Sequence, residues 1–315
     1  MAGLTTYDTT GIREDLSDII YNISPTDTPF MSGIGKTKAT NTKYEWQTDS
    51  LGAVAANAAV EGAAISYGSL TSTTREFDYT QISTKAIQVT GTDDAVNTAG
   101  RNTELAYQVA KAAKEIKRDM ENALLSNTAK AVGDNTTART LGGLPTWIST
   151  NVSAGAGGSG AGSGAARTNG TQRAFTETLL RSALKDTWVS GGNPNVIMLN
   201  GFNKQKLSFF TGGATRFDKA EYRRLMTSID VYESDFGTMQ VTPNRWIRKT
   251  AASAKRGQDV YLLEMDFWAV AFLRDFKLQN PAQTADADQR FMVVEYTLEA
   301  KNEASSGMVT DVTPS

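Results

Sequence analysis

A long amphipathic helix predicted between Thr103 and Asn127 constrains the fold of this chain more than any other feature of its sequence. Apolar residues recur there at spacings of three and four, and charged residues of both signs lie off the stripe. At about 1.5 Å per residue, the helix would be about 37 Å long. We expect its charged face to be solvated. The stripe consists of Leu105, Val109, Ala112, Ala113, Ile116, Met120, Ala123 and Leu124.

The chain contains no cysteine and no histidine, which excludes several classes of chemistry. A disulfide framework, a thiolate nucleophile and a cysteine-based metal site all need thiols. A Ser-His-Asp triad and a histidine metal site need imidazole. Catalysis would therefore fall to carboxylate, lysine, tyrosine, serine or threonine side chains. The formal net charge of −2 argues against a strongly basic nucleic-acid coat but allows local patches.

The sequence shows no membrane span and no signal peptide. The longest unbroken apolar run, Phe267 to Leu273, is far shorter than the roughly 20 residues that a bilayer requires. The N-terminus has neither a basic region nor an apolar core. We therefore expect a soluble protein made in a cytoplasm.

The N-terminal region predicts a short amphipathic helix that must pack against another surface. Ile12, Leu16, Ile19 and Ile20 share one face of this helix, which Pro25 ends. A helix of about three turns is marginal alone in water, so its isoleucines need a docking surface. The sequence leaves two alternatives open, namely docking on the helix's own domain or on a neighbouring subunit.

Two strand-like stretches, 43–49 and 71–90, flank a region made mostly of alanine, glycine and valine. Tyr44 and Trp46 alternate with polar residues in the first stretch, and Phe77 and Tyr79 alternate with polar residues in the second. This pattern predicts a hairpin that projects from the body and has a weak tip. Because an isolated two-stranded ribbon is marginally stable, we expect the hairpin to need a partner.

The second half of the chain predicts mixed helices and strands. Residues 151–170 are nearly all glycine, alanine and serine, and this composition predicts a flexible surface loop. Beyond it, helices are predicted at 176–189 and 201–210, a hairpin at 229–246, and strands at 195–199, 261–276 and 291–301. The elements show no repeated βαβ unit, so we predict an α+β fold.

The motifs that would indicate nucleotide binding or carboxylate chemistry are weak. The sequence 33–37 lacks the first glycine of a phosphate-binding loop, and the glycines of 155–160 have no preceding strand or following amphipathic helix. Carboxylates crowd at Asp93, Asp94, Asp286 and Asp288, which could serve glycoside hydrolysis or bind Ca²⁺. Turn and capping preferences explain these pairs more simply.

Charge is distributed unevenly along the chain. Residues 201–225 hold six basic residues against Asp218 and Glu221, whereas the N-terminal region is acidic. Opposite charges on separate segments suit pairing between subunits. A solvated surface and a nucleic-acid patch remain alternatives. The basic residues are Lys204, Lys206, Arg216, Lys219, Arg223 and Arg224.

The joint order of these elements resembles a tailed-bacteriophage major capsid protein with the Hong Kong 97-like fold, which encapsulin shells share. An amphipathic arm precedes a long hairpin, a spine helix, a mixed α/β domain and a closing strand. Packing patterns rather than catalytic signatures carry the resemblance. They are Ser24-Pro-Thr-Asp-Thr-Pro-Phe30, Ser83-Thr-Lys-Ala-Ile-Gln-Val-Thr90 with Asp93-Asp94, Ile116-Lys-Arg-Asp-Met-Glu-Asn-Ala-Leu-Leu125, Leu263-Glu-Met-Asp-Phe-Trp268 and Val294-Glu-Tyr-Thr-Leu-Glu-Ala-Lys-Asn302.

The resemblance implies a division of the chain into an arm, an extended loop, and peripheral and axial domains. The expected parts are an N-terminal arm (1–35), an extended β-hairpin loop (36–90), a peripheral domain with the spine helix (91–150), a flexible loop (151–170), an axial domain (171–280), and a return strand with the C-terminal tail (281–315).

The resemblance also implies a structural function without catalysis, metal or cofactor. Hexamers and pentamers would close into an icosahedral virion shell, assembled in the bacterial host cytoplasm around double-stranded DNA that is contacted non-specifically. Portal and decoration proteins would be further partners. Because only about 35 residues precede the extended loop, we expect a separate scaffolding protein. Two alternatives remain, an encapsulin-like compartment and a carboxylate-based carbohydrate-active enzyme.

We expect the contacts between subunits to come from the arm, the hairpin and the basic segment. The candidate residues are Ile12, Leu16, Ile19, Ile20, Tyr44, Trp46, Phe77, Tyr79, Lys204, Lys206, Arg223 and Arg224.

Overall fold

Two larger sheets and a two-stranded ribbon organise the part of the chain that the structure describes. The structure is a computed structural model, and it describes residues 24–62, 64, 67–68, 70–96, 103–210, 230–247, 259–282 and 286–313. Within these residues no helix is both long enough and apolar enough to cross a membrane. The amphipathic segment 12–23 lies outside the described residues.

The elements follow one another in this order along the chain. The helices are α1 (Pro29–Gly33), α2 (Gly91–Ala95), α3 (Glu104–Leu124), α4 (Leu144–Trp147), α5 (Glu177–Val189) and α6 (Gly201–Ser208). The strands are β1 (Gly35–Lys38), β2 (Lys43–Thr48), β3 (Thr74–Tyr79), β4 (Gln81–Thr90), β5 (Val152–Ser153), β6 (Val196–Leu199), β7 (Val231–Ser234), β8 (Gly237–Pro243), β9 (Val260–Leu263), β10 (Trp268–Gln279), β11 (Ala287–Ala300) and β12 (Gly307–Val309).

The first sheet carries the spine helix. Its strand order is β1-β10-β11-β4, with β1 parallel to β10 and the other pairs antiparallel. Helix α3 packs on this sheet and buries Ile116, Met120 and Leu124 completely. These side chains share one core with Trp268 and Tyr296, so the apolar stripe that predicted the helix is the face that the sheet covers.

The second sheet forms a separate core with helix α5. Its strand order is β5-β12-β9-β6-β8-β7. Leu180 and Leu184 of α5 pack with Ile197 and Leu262 of the sheet. The predicted hairpin 229–246 corresponds to the pair β7–β8, whose turn lies at Asp235 and Phe236.

Two stretches that the sequence presents as continuous strands are each divided between two sheets. The predicted strand 71–90 breaks at Thr80, so that β3 pairs in the ribbon and β4 pairs in the first sheet. The predicted strand 261–276 breaks at a 3₁₀ turn, Met265–Phe267, which separates β9 from β10. Period-two patterning continues across both breaks because it does not depend on which strand is the partner.

The sheets also divide the chain differently from the boundaries expected by resemblance. Strands β1 and β4, which fall in the expected extended loop 36–90, pair in the first sheet. Strand β10 falls entirely in the expected axial domain 171–280 but pairs in the first sheet, and β12 returns to the second sheet. The ribbon proper is therefore limited to β2 and β3.

The glycine-rich segment 151–170 is anchored, although its composition predicted a flexible loop. The Arg167 guanidinium is buried and forms ion pairs with Asp259 at 2.5 Å and Asp311 at 3.4 Å. Its backbone exchanges hydrogen bonds with the Asn127 side chain. Gly155 lies so close to the neighbouring backbone that a Cβ atom there would sit 2.1 Å from the Thr171 carbonyl oxygen. The small residues thus permit close packing against the body.

Candidate assembly surfaces

The two faces of the ribbon β2–β3 carry different aromatic residues. Tyr44 and Trp46 face the body of the subunit, because their cross-strand neighbours are the buried Asp78 and the half-buried Glu76. In an antiparallel pair, opposite residues lie on the same face and successive residues alternate between faces. The remaining two aromatic residues, Phe77 and Tyr79, are therefore on the other face.

The face that meets the body belongs to the core of the subunit. Trp46 is 8% exposed, and its ring centroid lies 5.2 Å from that of Trp147. The Tyr44 hydroxyl donates to Glu299 at 3.2 Å. The sequence suggested Trp46 as a contact between subunits, but its burial within the subunit leaves it little surface for another copy.

The opposite face of the ribbon is occupied by cation–π contacts. The rings of Phe77 and Tyr79 meet edge to face at 5.6 Å. The ammonium groups of Lys130 and Lys43 lie 3.6 Å and 4.1 Å from the centroid of the Phe77 ring. Contacts of this type are worth about 0.5–1 kcal/mol at exposed sites and more when desolvated. Both rings are partly buried, so each keeps some surface for a further contact.

The root of the ribbon is fixed by a buried carboxylate. Asp78 is fully buried and accepts hydrogen bonds from the Tyr79 amide at 2.8 Å and the Gly142 amide at 3.0 Å. Burial raises the pKa of Asp78 to about 7, against the smaller opposing effects of these amides and of the Lys130 ammonium.

A second buried carboxylate joins the root to the first sheet. Glu295 of β11 accepts from the Thr80 hydroxyl at 2.8 Å, from Arg139 at 2.6 Å and from Arg274 at 2.7 Å. Thr80 is the residue at which the chain leaves the ribbon and enters β4. The base of the ribbon is thus held by charged hydrogen bonds, which are stronger than neutral ones.

Beyond this fixed root lies the tip segment (residues 49–73), and its described residues expose large apolar side chains. Several large apolar side chains exposed along one segment make that segment a candidate site of protein interaction. The composition predicted the weak tip but did not distinguish these residues, because each stands singly among small or polar residues. The exposed fractions are 99% for Leu51, 103% for Val54, 80% for Val60, 93% for Tyr67 and 99% for Leu70.

The chain before the ribbon is clamped onto the spine helix. The buried Glu121 carboxylate of α3 accepts hydrogen bonds from the amides of Phe30 and Met31, each at 2.8 Å, and from the Asn244 side chain at 2.7 Å. Burial raises the pKa of Glu121, although these three donors oppose the shift. Glu121 therefore ties α1 and the end of β8 to the middle of the fold. The arm residues Ile12, Leu16, Ile19 and Ile20 lie outside the described residues.

The basic segment is described only in part. The Lys204 ammonium donates to Asp230 at 3.1 Å, and its side chain is 14% exposed. Lys206 is exposed and lies 5.4 Å from the Phe202 ring. Arg223 and Arg224 fall outside the described residues. Lys206 is thus the candidate whose charge is best placed to meet a partner.

Sequence comparison finds a match along nearly the whole chain. A family model described as the SU10 major capsid protein matches residues 3–313. The major capsid protein of Escherichia phage Phieco32 is 41% identical over 125 residues, which is 39% of this chain and 36% of that protein. The matched region therefore spans about a third of the length of this relative.

Structural comparison finds capsid shells with a similar fold. The capsid subunit of cyanophage A-1(L) matches with a TM-score of 0.65 and 14% identity over 98% of both chains. A structure from Gordonia phage Cozz matches with a TM-score of 0.62 and 10% identity over 96% of this chain and 91% of that one. The SrpI encapsulin of Synechococcus elongatus PCC 7942 matches with a TM-score of 0.56 and 10% identity over 97% and 94%. The α+β fold with its spine helix is the one that these structures share.

Proposed function

The chain belongs to the SU10 major capsid protein family, and we propose on this premise that it is the shell subunit of a tailed-phage head. The family consists of structural capsid proteins, which leaves no support for the alternative of a carbohydrate-active enzyme. An encapsulin compartment would share the fold, but the family match favours a virion capsid.

The exposed tip segment is the observation on this molecule that best supports assembly. Five large apolar side chains among its described residues are at least 80% exposed, whereas the root of the same ribbon is fixed by Asp78 and Glu295. Fully burying one such side chain stabilises a contact by about 1.5–3 kcal/mol. The tip thus offers exposed apolar side chains beyond a fixed root, and burying them against another copy of the subunit would stabilise an assembly.

We further propose that the copies form hexamers and pentamers of an icosahedral shell. Because closure of a shell multiplies weak contacts through effective concentration, no single contact has to be strong. Phe77, Tyr79 and Lys206 keep partial or full exposure and stay in the proposed contact set with the tip. Tyr44 also stays, although its hydroxyl is already bonded to Glu299.

Other partners in the proposed head follow from the chemistry of packaging. The formal net charge of −2 suits a shell that encloses double-stranded DNA without binding it tightly. We propose a separate scaffolding protein, a portal and decoration proteins as the remaining partners.

Particle formation tests this proposal directly. The full chain is produced alone and together with the neighbouring head genes, and both products are examined by sedimentation velocity and electron microscopy. We expect closed shells of uniform size when the neighbouring genes are present. Subunits that stay monomeric under both conditions would refute the proposed function. Uniform shells from the chain alone would refute the separate scaffolding protein. Enzyme cargo rather than DNA in particles made during infection would favour the encapsulin alternative.

A further inference from the structure

A groove of about 630 Å³ lies between the spine helix and the outer part of the first sheet. Its floor is apolar and includes Met31, Phe272 and Phe276, the two phenylalanine rings being 6.2 Å apart. Its lining also contains the lysines of β1 and one lysine of α3. The groove is thus shaped for an apolar helix face with acidic flanks. We call it the lysine groove.

Three lysines give this groove a positive rim. Lys36 and Lys38 extend from the edge strand β1, and Lys117 extends from α3 to within 6.0 Å of the Phe276 ring centroid. Asp275 is the acidic residue among those that line the groove. Among the described residues, none of the three lysines has an ion-pair partner. An occupant with acidic side chains would therefore be attracted to the rim.

The segment 12–23 of this same chain has the matching chemistry. Its isoleucines and Leu16 share one helical face, as derived above from their spacing. Asp15 is four residues before Ile19, so in a helix its carboxylate would lie at the border of that face. Arg13 is the only basic residue before Lys36. The segment combines an apolar face with a negative border, which complements the floor and rim of the groove.

The connection to the described chain favours the segment of the same copy. Residues 24–28 lead directly from the segment to Thr28, which lines the groove. Five extended residues span at most about 17 Å, which is enough to place the segment over the groove. A tether this short gives an effective concentration of about 1 mM, so at micromolar protein the same copy outcompetes a second copy by about a thousandfold.

We infer that residues 12–23 fill the lysine groove of their own subunit, with Leu16 and Ile19 on the apolar floor and Asp15 facing the lysine rim. Of the two docking alternatives that the sequence left open, this inference selects the subunit itself. It concerns the free subunit, so it stands or falls independently of the proposed shell function.

Disulfide trapping tests this placement without background, because the chain has no cysteine. The full-length double variant Leu16→Cys, Ser32→Cys places one thiol on the segment and one on the exposed Ser32 at the groove. We expect rapid formation of an intramolecular disulfide at micromolar concentration, measured by non-reducing electrophoresis and mass spectrometry. The matched control Leu16→Cys, Ser182→Cys carries its second thiol at an exposed serine of α5 and should stay reduced.

A charge swap tests the role of the lysine rim. Adding Lys36→Glu, Lys38→Glu and Lys117→Glu should slow disulfide formation several-fold, because the weak attraction between exposed opposite charges is replaced by repulsion. Adding Asp15→Lys to the same protein should restore part of the rate. Trypsin provides a second measurement, since cleavage after Arg13 should be faster in the triple lysine variant than in the parent chain.

Several outcomes would overturn the inference. The Leu16→Cys and Ser32→Cys single variants can also be mixed. If they form disulfide-linked dimers faster than the double variant forms its intramolecular bond, the groove belongs to a second copy. Equal trapping in the Ser182→Cys control would show unspecific collision. If the disulfide does not form and Arg13 is not protected from trypsin, the segment does not dock in the groove.

Discussion

Replacing Leu51 and Leu70 together by serine should prevent assembly while leaving the subunit folded. Both side chains are 99% exposed, so their removal should change the free energy of unfolding by less than about 0.5 kcal/mol. If the tip is buried against another copy, each leucine contributes about 1.5–3 kcal/mol to that contact. The double variant then loses about 3–6 kcal/mol per subunit. Since 1.4 kcal/mol is tenfold, the free subunit concentration needed for shells should rise about 10²- to 10⁴-fold.

Two measurements separate these effects. Sedimentation velocity over a concentration series gives the subunit concentration at which particles form, and urea unfolding gives the stability of the free subunit. The control is Val132→Ser, which removes a side chain that is 61% exposed outside the ribbon and should change neither quantity strongly. Shells from the double variant at the parent concentration would refute the assignment of the tip as an assembly surface. A loss of several kcal/mol in urea would show instead that the tip stabilises the subunit.

Three further predictions concern buried groups. Trp46→Ala should destabilise the free subunit by about 3–5 kcal/mol in urea, because the indole is in the core. Burial raises the pKa of Asp78 from 3.8 to about 7, so the folded subunit retains a proton that the unfolded chain releases. The stability of the parent chain relative to Asp78→Asn should therefore be greatest below about pH 4, fall as the pH rises to about 7, and then level off, as urea unfolding across that range would measure. Glu121→Ala should cost about 3–5 kcal/mol in urea unfolding, because it leaves two backbone amides and one side-chain amide without their acceptor.

Each of these predictions has a matched control. Tyr44→Phe removes only the hydrogen bond from the hydroxyl to Glu299, so it should lower the free energy of unfolding by about 1 kcal/mol. If Trp46→Ala lowers it by no more than that, the indole is not in the core. A stability difference between the parent and Asp78→Asn that does not change with pH would contradict the raised pKa. Glu121→Gln keeps one acceptor oxygen and should lose less than Glu121→Ala. Equal losses would show that the hydrogen bonds do not account for the effect.

The ribbon shows what a sequence pattern can predict about a candidate surface and what it cannot. The alternation of Tyr44 with Trp46 and of Phe77 with Tyr79 predicted two paired strands correctly. It could not assign the faces, because a period of two says that neighbours point to opposite sides but not which side meets the body. Register decides this, and here it places Trp46 in the core beside Trp147. The exposed leucines of the tip follow no periodic pattern. Their exposure is visible only in the structure, where they lack neighbouring contacts.

The sequence by itself determined the spine helix, the α+β class and the resemblance to capsid proteins, because these depend on local periodicity and on the order of elements along the chain. Only the tertiary structure decided that the chain changes sheets at Thr80 and at Met265–Phe267, and that the glycine-rich segment is anchored by the buried Arg167. The physical reason is that these features depend on contacts between residues far apart in the chain. The partners of Arg167, Asp259 and Asp311, lie about 90 and 140 residues away.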